Sequence, residues 1–218
     1  MTLAIFDLDH TLLNGDSDHA WGQYLVDRHL VEPSEHQRRN DYFYEQYKAG
    51  TLDIDEYLLF ALKPLTQYPR EQMEQERERF LQERIRPLIS QKSRNLIAKH
   101  QQQGHTLLII TATNGFVTYP IAELLGIEHI IAPQPEIQDG AYTGRITGIP
   151  SFQQGKVTRL QSWMVQHQQS LAGSFFYSDS HNDLPLLQLV DHPIAVDPDA
   201  TLQTEAEQQG WPIISLID

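Results

Sequence analysis

Asp7 and Asp9 stand two residues apart at the end of the apolar run Leu3-Ala4-Ile5-Phe6. Such a run reads as a buried strand, and its period of two points both carboxylates the same way. Thr11 then begins a loop that frees the pair at the strand's edge. A buried like-charge pair is costly unless a cation sits between its members. Mg²⁺ suits that place, being a hard ion that takes carboxylate oxygens and a substrate phosphate together. One carboxylate could then attack phosphorus while the other moves a proton. Taken alone, the pair reads equally well as a strand end that happens to be acidic.

Three later segments bear on that choice. Leu107-Leu108-Ile109-Ile110-Thr111 ends an apolar strand on a hydroxyl, Gly155-Lys156-Val157 offers a lysine, and Phe175-Phe176-Tyr177-Ser178-Asp179-Ser180-His181-Asn182-Asp183 places an acidic pair after a strand. With Asp7-Leu8-Asp9-His10-Thr11 they resemble, in order, the four motifs of the haloacid dehalogenase (HAD) superfamily, over nearly the whole chain. The resemblance implies that Asp7 is a nucleophile that becomes an aspartyl-phosphate and ligates Mg²⁺. Asp9 is then the acid/base, with its backbone carbonyl on the metal. Thr111 and the backbone N–H of Ala112 would cradle the phosphoryl group at a helix start, and Lys156 would neutralise the charge it shares with Asp7. Asp179 would ligate Mg²⁺, Asp183 would ligate it or hold one of its waters, and Asn182 would hydrogen-bond near the phosphate. A strand-ending Thr111 and a surface Lys156 are the plain alternatives.

The elements that must position these residues alternate. Helices read over 88–103, 115–125, 153–166 and 184–189, and strands over 105–111, 127–132, 174–178, 194–196 and 213–216. Asp139-Gly140 marks a hairpin. This predicts an α/β fold, a Rossmann-like, mostly parallel sheet with helices on both faces and ligands at the strands' carboxyl ends. Between residues 15 and 86 the character changes to long polar helices: Trp21, Tyr24 and Leu25 recur at helical spacing, Asp53 caps a helix, and 71–86 reads as one charge-rich helix. That segment looks like a small α-helical cap inserted after the first strand, so 15–86 is expected to form a cap domain and 1–14 with 87–218 a HAD-like core. Most of the ten histidines read as surface groups.

The net charge of −13 argues against nucleic acid or an anionic membrane as the main partner. A locally cationic site can still take an anionic substrate. The absence of cysteine rules out disulfides and thiolate metal sites. With no charged leader before an apolar stretch and no run of membrane-span length, the expectation is a cytoplasmic chain.

Asp7 to Asp16, DLDHTLLNGD, is most similar to the phosphoserine-phosphatase-like branch, subfamily IB. That branch typically has Glu where this chain has Asp16, at a position expected to read a substrate amino group. It also carries a cap Arg, after a Gly-x-Leu turn, that pairs with the substrate carboxylate. Here Gly50-Thr51-Leu52 is followed by Tyr57-Leu58-Leu59-Phe60-Ala61-Leu62, without an Arg. Its loss weakens the case for phosphoserine. An ester with an amine and a ring but no carboxylate fits better: Asp16 and Asp18 could hold a cation, or simply cap the first helix, and Trp21, Tyr44, Tyr57 or Phe60 could pack the ring. The expected substrate is a small-molecule phosphate ester, histidinol phosphate first. A phosphoserine phosphatase, a phosphotransferase using the same intermediate and, last, a noncatalytic binding protein are the alternatives.

Overall fold

The structure, a computed structural model, describes residues 2–218. The first strand, β1 (Leu3–Phe6), is followed by α1 (Ser17–Asp27), α2 (Pro33–Lys48) and α3 (Ile54–Leu62). Asp53 caps α3 by accepting from the N–H groups of Asp55 and Glu56. A 3₁₀ turn over Lys63–Thr66 leads to α4 (Arg70–Phe80). The predicted single helix over 71–86 ends early: it widens into a π turn over Leu81–Ile85 and tightens into a 3₁₀ turn over Arg86–Leu88. Arg86 N–H closes the wide turn on the Leu81 carbonyl, and Pro87, with no N–H to give, ends the helical ladder.

The rest of the chain is α5 (Gln91–Gln102), β2 (Thr106–Ile110), α6 (Gly115–Leu125), β3 (His129–Ile131), β4 (Gln134–Gln138) and β5 (Ala141–Thr147). It continues through α7 (Gln154–His167), β6 (Phe175–Ser178), α8 (Leu184–Leu187), β7 (His192–Val196), α9 (Ala200–Gln209) and β8 (Ile213–Ile214). Six strands form one sheet in the order β3-β2-β1-β6-β7-β8, with every pairing parallel. The hairpin stands apart as a separate antiparallel pair, β4 with β5. It rests under the helical segment, with Arg70 over the Tyr142 ring and Thr66 against Gly144.

Alternate residues of the central strands feed two cores, as burial on both faces of a parallel sheet requires. Ala4, Phe6, Leu107, Ile109 and Tyr177 pack with Trp21, Phe80, Ile97 and Phe116 on one side. Leu3, Ile5, Leu108, Ile110 and Phe176 pack with Val157, Leu160, Leu187 and Leu202 on the other. Trp21 belongs to the first core, stacked on Tyr24 and edge-on to Phe80; it is therefore not available to pack a substrate ring. Glu76 is buried beside it, accepting from Tyr24 Oη at 2.7 Å, Arg28 Nε at 3.1 Å and Arg79 Nη1 at 2.9 Å. Two histidines depart from the surface expectation. His36 is buried, and His100 is buried behind β1, where its Nε2 meets Tyr177 Oη at 2.8 Å and burial pushes its ring down to about 4.

Candidate active site

The strand order β2-β1-β6 sets three motif residues side by side. Thr111 follows the last residue of β2, Asp7 the last of β1 and Asp179 the last of β6. This is where an open α/β sheet binds ligands, at the carboxyl edge where the chain switches sides. α7 delivers Lys156 in its first turn. A tight turn precedes it, with Gly155 N–H on the Phe152 carbonyl at 2.8 Å and Lys156 N–H on the Gln153 carbonyl at 3.0 Å.

Lys156 is 3% exposed, and its Nζ reaches Asp7 Oδ1 at 2.8 Å and Asp183 Oδ2 at 2.8 Å. Burial opposes its charge, yet Asp183 and Asp7 outweigh burial and raise its pKa. Ser178 Oγ also donates to Asp183 Oδ2, at 2.7 Å. Asp7 is pushed up to about 7, chiefly by burial, with Asp183 and Asp9 adding to the shift and Lys156 opposing it. Asp9 is held at both oxygens: Ser17 N–H donates to Oδ1 at 2.6 Å and Thr113 Oγ1 to Oδ2 at 2.8 Å. Burial, and then Asp16, push it up to about 6.

Asp179 accepts from Thr11 Oγ1 at 3.0 Å, and among the described residues no lysine or arginine pairs with it. Burial, then the charges of Asp7 and Asp183, hold its carboxyl well above the usual range. A carboxylate so placed calls for a cation. Among the described residues no three acidic or histidine side chains form a ready-made metal cage. Mg²⁺ does not need one, because it takes one or two carboxylates and completes its shell with waters and phosphate. Asp7 and Asp179 with the Asp9 carbonyl therefore fit it by donor chemistry.

Thr111 is buried; its Oγ1 accepts from Thr113 N–H at 3.1 Å, and its carbonyl accepts from Ser151 Oγ at 2.6 Å. Thr111, Ala112 and Thr113 line a cleft with Asp7, Asp9, Asp16 and Asp18. Its outer wall is Phe43, Tyr44, Tyr47, Leu52, Ile54 and Tyr57 from α2, α3 and the turn between them. Phe60 instead packs on Phe43 and His36 away from the cleft. Asp16 acts at the start of α1, its Oδ1 accepting from Asp18 N–H at 2.9 Å and His19 N–H at 2.8 Å. Asn182 faces the helical segment: its Nδ2 donates to the Tyr47 carbonyl at 3.1 Å and its Oδ1 accepts from Gln153 Nε2 at 2.9 Å. Gln153 also donates to the Gly50 carbonyl at 3.4 Å, and His181 pairs with Asp199 through Nδ1 at 2.7 Å.

A family model for haloacid dehalogenase-like hydrolases matches residues 4–188. The chain belongs to that family. It is a phosphatase. A histidinol-phosphatase of Neisseria meningitidis serogroup C (strain 8013) is 47% identical over 217 residues, covering 98% of each chain. Among solved structures, a Bordetella pertussis Tohama I protein of unknown function is 41% identical, with a TM-score of 0.93 and full coverage of both chains. A phospho-aspartyl intermediate analogue of phosphoserine phosphatase shares the fold, with a TM-score of 0.71 at 18% identity over 99% of this chain and 93% of that one. Against this HAD frame, four contributors escaped the sequence reading: Thr11 on Asp179, Thr113 on Asp9, Ser178 on Asp183 and Tyr47 in the cleft wall. Thr113 and Ser178 lie one or two residues from motif positions, which is the signal that could have found them. Tyr47 offers only helical spacing with Phe43 and Tyr44.

Proposed function

We propose that this phosphatase hydrolyses a small phosphate monoester, histidinol phosphate first, through an aspartyl-phosphate on Asp7. The observation that carries the catalytic reading is the buried clamp of Lys156 on Asp7 and Asp183. It aims one Asp7 oxygen while neutralising charge that builds up at phosphorus. Asp7 attacks phosphorus, and the bond to the ester oxygen breaks. Asp9, fixed by Ser17 and Thr113, gives its proton to the departing alkoxide. Asp9 then takes a proton from a water that attacks the aspartyl-phosphate, which restores Asp7 and releases phosphate. A carboxyl displaced to about 6 is suited to both steps near neutral pH. Thr111 and the Ala112 N–H hold phosphoryl oxygens. Asp7, Asp179 and the Asp9 carbonyl would hold Mg²⁺, with Asp183 fixing Lys156 and orienting a metal water; the ion supplies charge neutralisation at the phosphoryl group.

Residues 15–86 serve as the cap domain over a core of 1–14 and 87–218, and the cap wall chooses the alcohol. Support for histidinol phosphate comes from the 47% identical relative and from a cleft whose lining includes no lysine or arginine to meet a carboxylate. Phosphate release from a panel of monoesters, with Mg²⁺ and with EDTA, tests this. Mg²⁺-dependent preference for histidinol phosphate is expected. Preference for phosphoserine would overturn the substrate, and turnover of no ester would overturn the reaction.

A further inference from the structure

The cleft holds a carboxylate that phosphoryl transfer does not use. Asp18 lies in the first turn of α1 and is 5% exposed. It does not cap the helix; Asp16 does that. Its Oδ2 accepts from Tyr57 Oη of α3 at 2.5 Å, and its Oδ1 faces Asn114 Nδ2 at 3.4 Å. Among the described residues no lysine, arginine or histidine pairs with it. His19, which also lines the cleft, faces Asp41 at 3.6 Å rather than Asp18. Arg39 lies over the Phe43 and Phe60 rings and bonds Glu56, outside the cleft.

A second acceptor sits beside it without a donor. Asn114 is 1% exposed, and while its Nδ2 faces Asp18, its Oδ1 has no hydrogen-bond partner. Asp18, faced by Asn114 Nδ2, lines the cleft with the rings of Phe43, Tyr44 and Tyr57. A buried carboxylate with hydrogen bonds but no cationic partner is costly and rewards a ligand that brings positive charge. Aromatic faces around it favour a cation or a flat ring in the same place.

We infer that Asp18, oriented by Tyr57 and Asn114, is the specificity-determining group of this site, receiving a protonated nitrogen on the alcohol part of the monoester and repelling esters that carry a carboxylate there. The inference deepens the phosphatase reading and rests on it. It assigns the selection to the second acidic residue of the Asp16–Asp18 pair and leaves Asp16 the work of starting α1. Burial pushes the Asp18 carboxyl up to about 7, and a cation bound beside it would favour the charged form again.

The test compares kcat/KM of the Mg²⁺-loaded full chain for three esters: histidinol phosphate, cationic; p-nitrophenyl phosphate, neutral; and 3-phosphoglycerate, anionic. Asp18→Asn should lower the cationic-to-neutral ratio by roughly 10- to 100-fold, mainly through KM, as loss of a charge-assisted contact does. The cationic-to-anionic ratio should fall further. Unchanged ratios would overturn the proposal. The isosteric change removes an unpaired buried charge, so its melting temperature at pH 8 should equal or exceed that of the wild type. A measurement without any variant runs beside it: histidinol, which lacks the phosphate, should inhibit wild-type p-nitrophenyl phosphate hydrolysis competitively, while an uncharged alcohol of similar size should not. Equal inhibition by both would also overturn it. Wild-type chain inactive on all three esters would instead refute the phosphatase reading itself.

Discussion

Lys156 is the residue on which the site's electrostatics turn. Two carboxylates share one buried ammonium, and removing one partner from such an arrangement leaves an uncompensated charge. Lys156→Met should therefore cost about 3–5 kcal/mol at pH 8, read from denaturant unfolding, and should also depress kcat. Asp7→Asn acts differently. It removes the nucleophile and one of the crowded negative charges together. Phosphate release should drop by roughly 10⁴-fold or more, while the melting temperature at pH 8 holds or rises. Turnover within tenfold of wild type would place the nucleophile elsewhere. At this scale the sequence was most legible for the acids, because Asp7, Asp9 and Asp179 follow apolar strands that the chain spells out. It was least legible where one residue type serves two ends. Asp16 and Asp18 read alike in the chain and both line the cleft, yet only the backbone path of α1 sets the Asp16 carboxylate on the helix start and the Asp18 carboxylate against Tyr57.

Among the elements, α7 bears most on catalysis, because its first turn sets the height of Lys156. Gly155 fixes that turn. A Cβ there would meet the Pro150 carbonyl oxygen at 2.1 Å, a backbone atom that cannot swing aside. Gly155→Ala should shift the helix start and cost about 10²-fold in kcat, as small misplacements of a catalytic group do. KM should change far less, since the alcohol pocket is built from other elements. A steady-state comparison of the two constants checks this. The parallel strands were legible from their apolar runs and their alternation with helices. The break after Phe80 was not, because the stripe Met73, Phe80, Leu81 and Ile85 fits a continuous helix as well as one widened by a π turn. Nor was the burial of Glu76, since a charge-rich helix gives no sign of which acid Tyr24 and Arg28 will meet. His100 was hidden for the same reason: its partner Tyr177 is 77 residues away.

For the molecule as a whole, the crowded acids make metal, proton and fold one linked system. Asp7 and Asp9 shift from 3.8 toward about 7 and about 6, and Asp179 shifts upward as well. A carboxyl raised in the folded state holds its proton longer than in the unfolded chain. Its contribution to stability is complete below pH 4 and is lost as pH rises through 6 to 7. His36 and His100, lowered by burial, act in the opposite sense, so the clearest readout is the gain in melting temperature on adding Mg²⁺. That gain should be larger at pH 8 than at pH 5, because at the lower pH the ion must displace protons from Asp7 and Asp179. Equal gains at both pH values would argue that the ion binds elsewhere. Among the described residues no helix is long and apolar enough to cross a membrane.

On this mechanism Asp7 carries the phosphoryl group between the two halves of the reaction. Acid-quenching the Mg²⁺-loaded chain during turnover of histidinol phosphate, followed by mass spectrometry of its peptides, tests it directly. One phosphoryl group is expected on the peptide that contains Asp7, absent in Asp7→Asn. A phosphoryl group on another residue, or sustained turnover with every peptide unmodified under rapid quench, would contradict it.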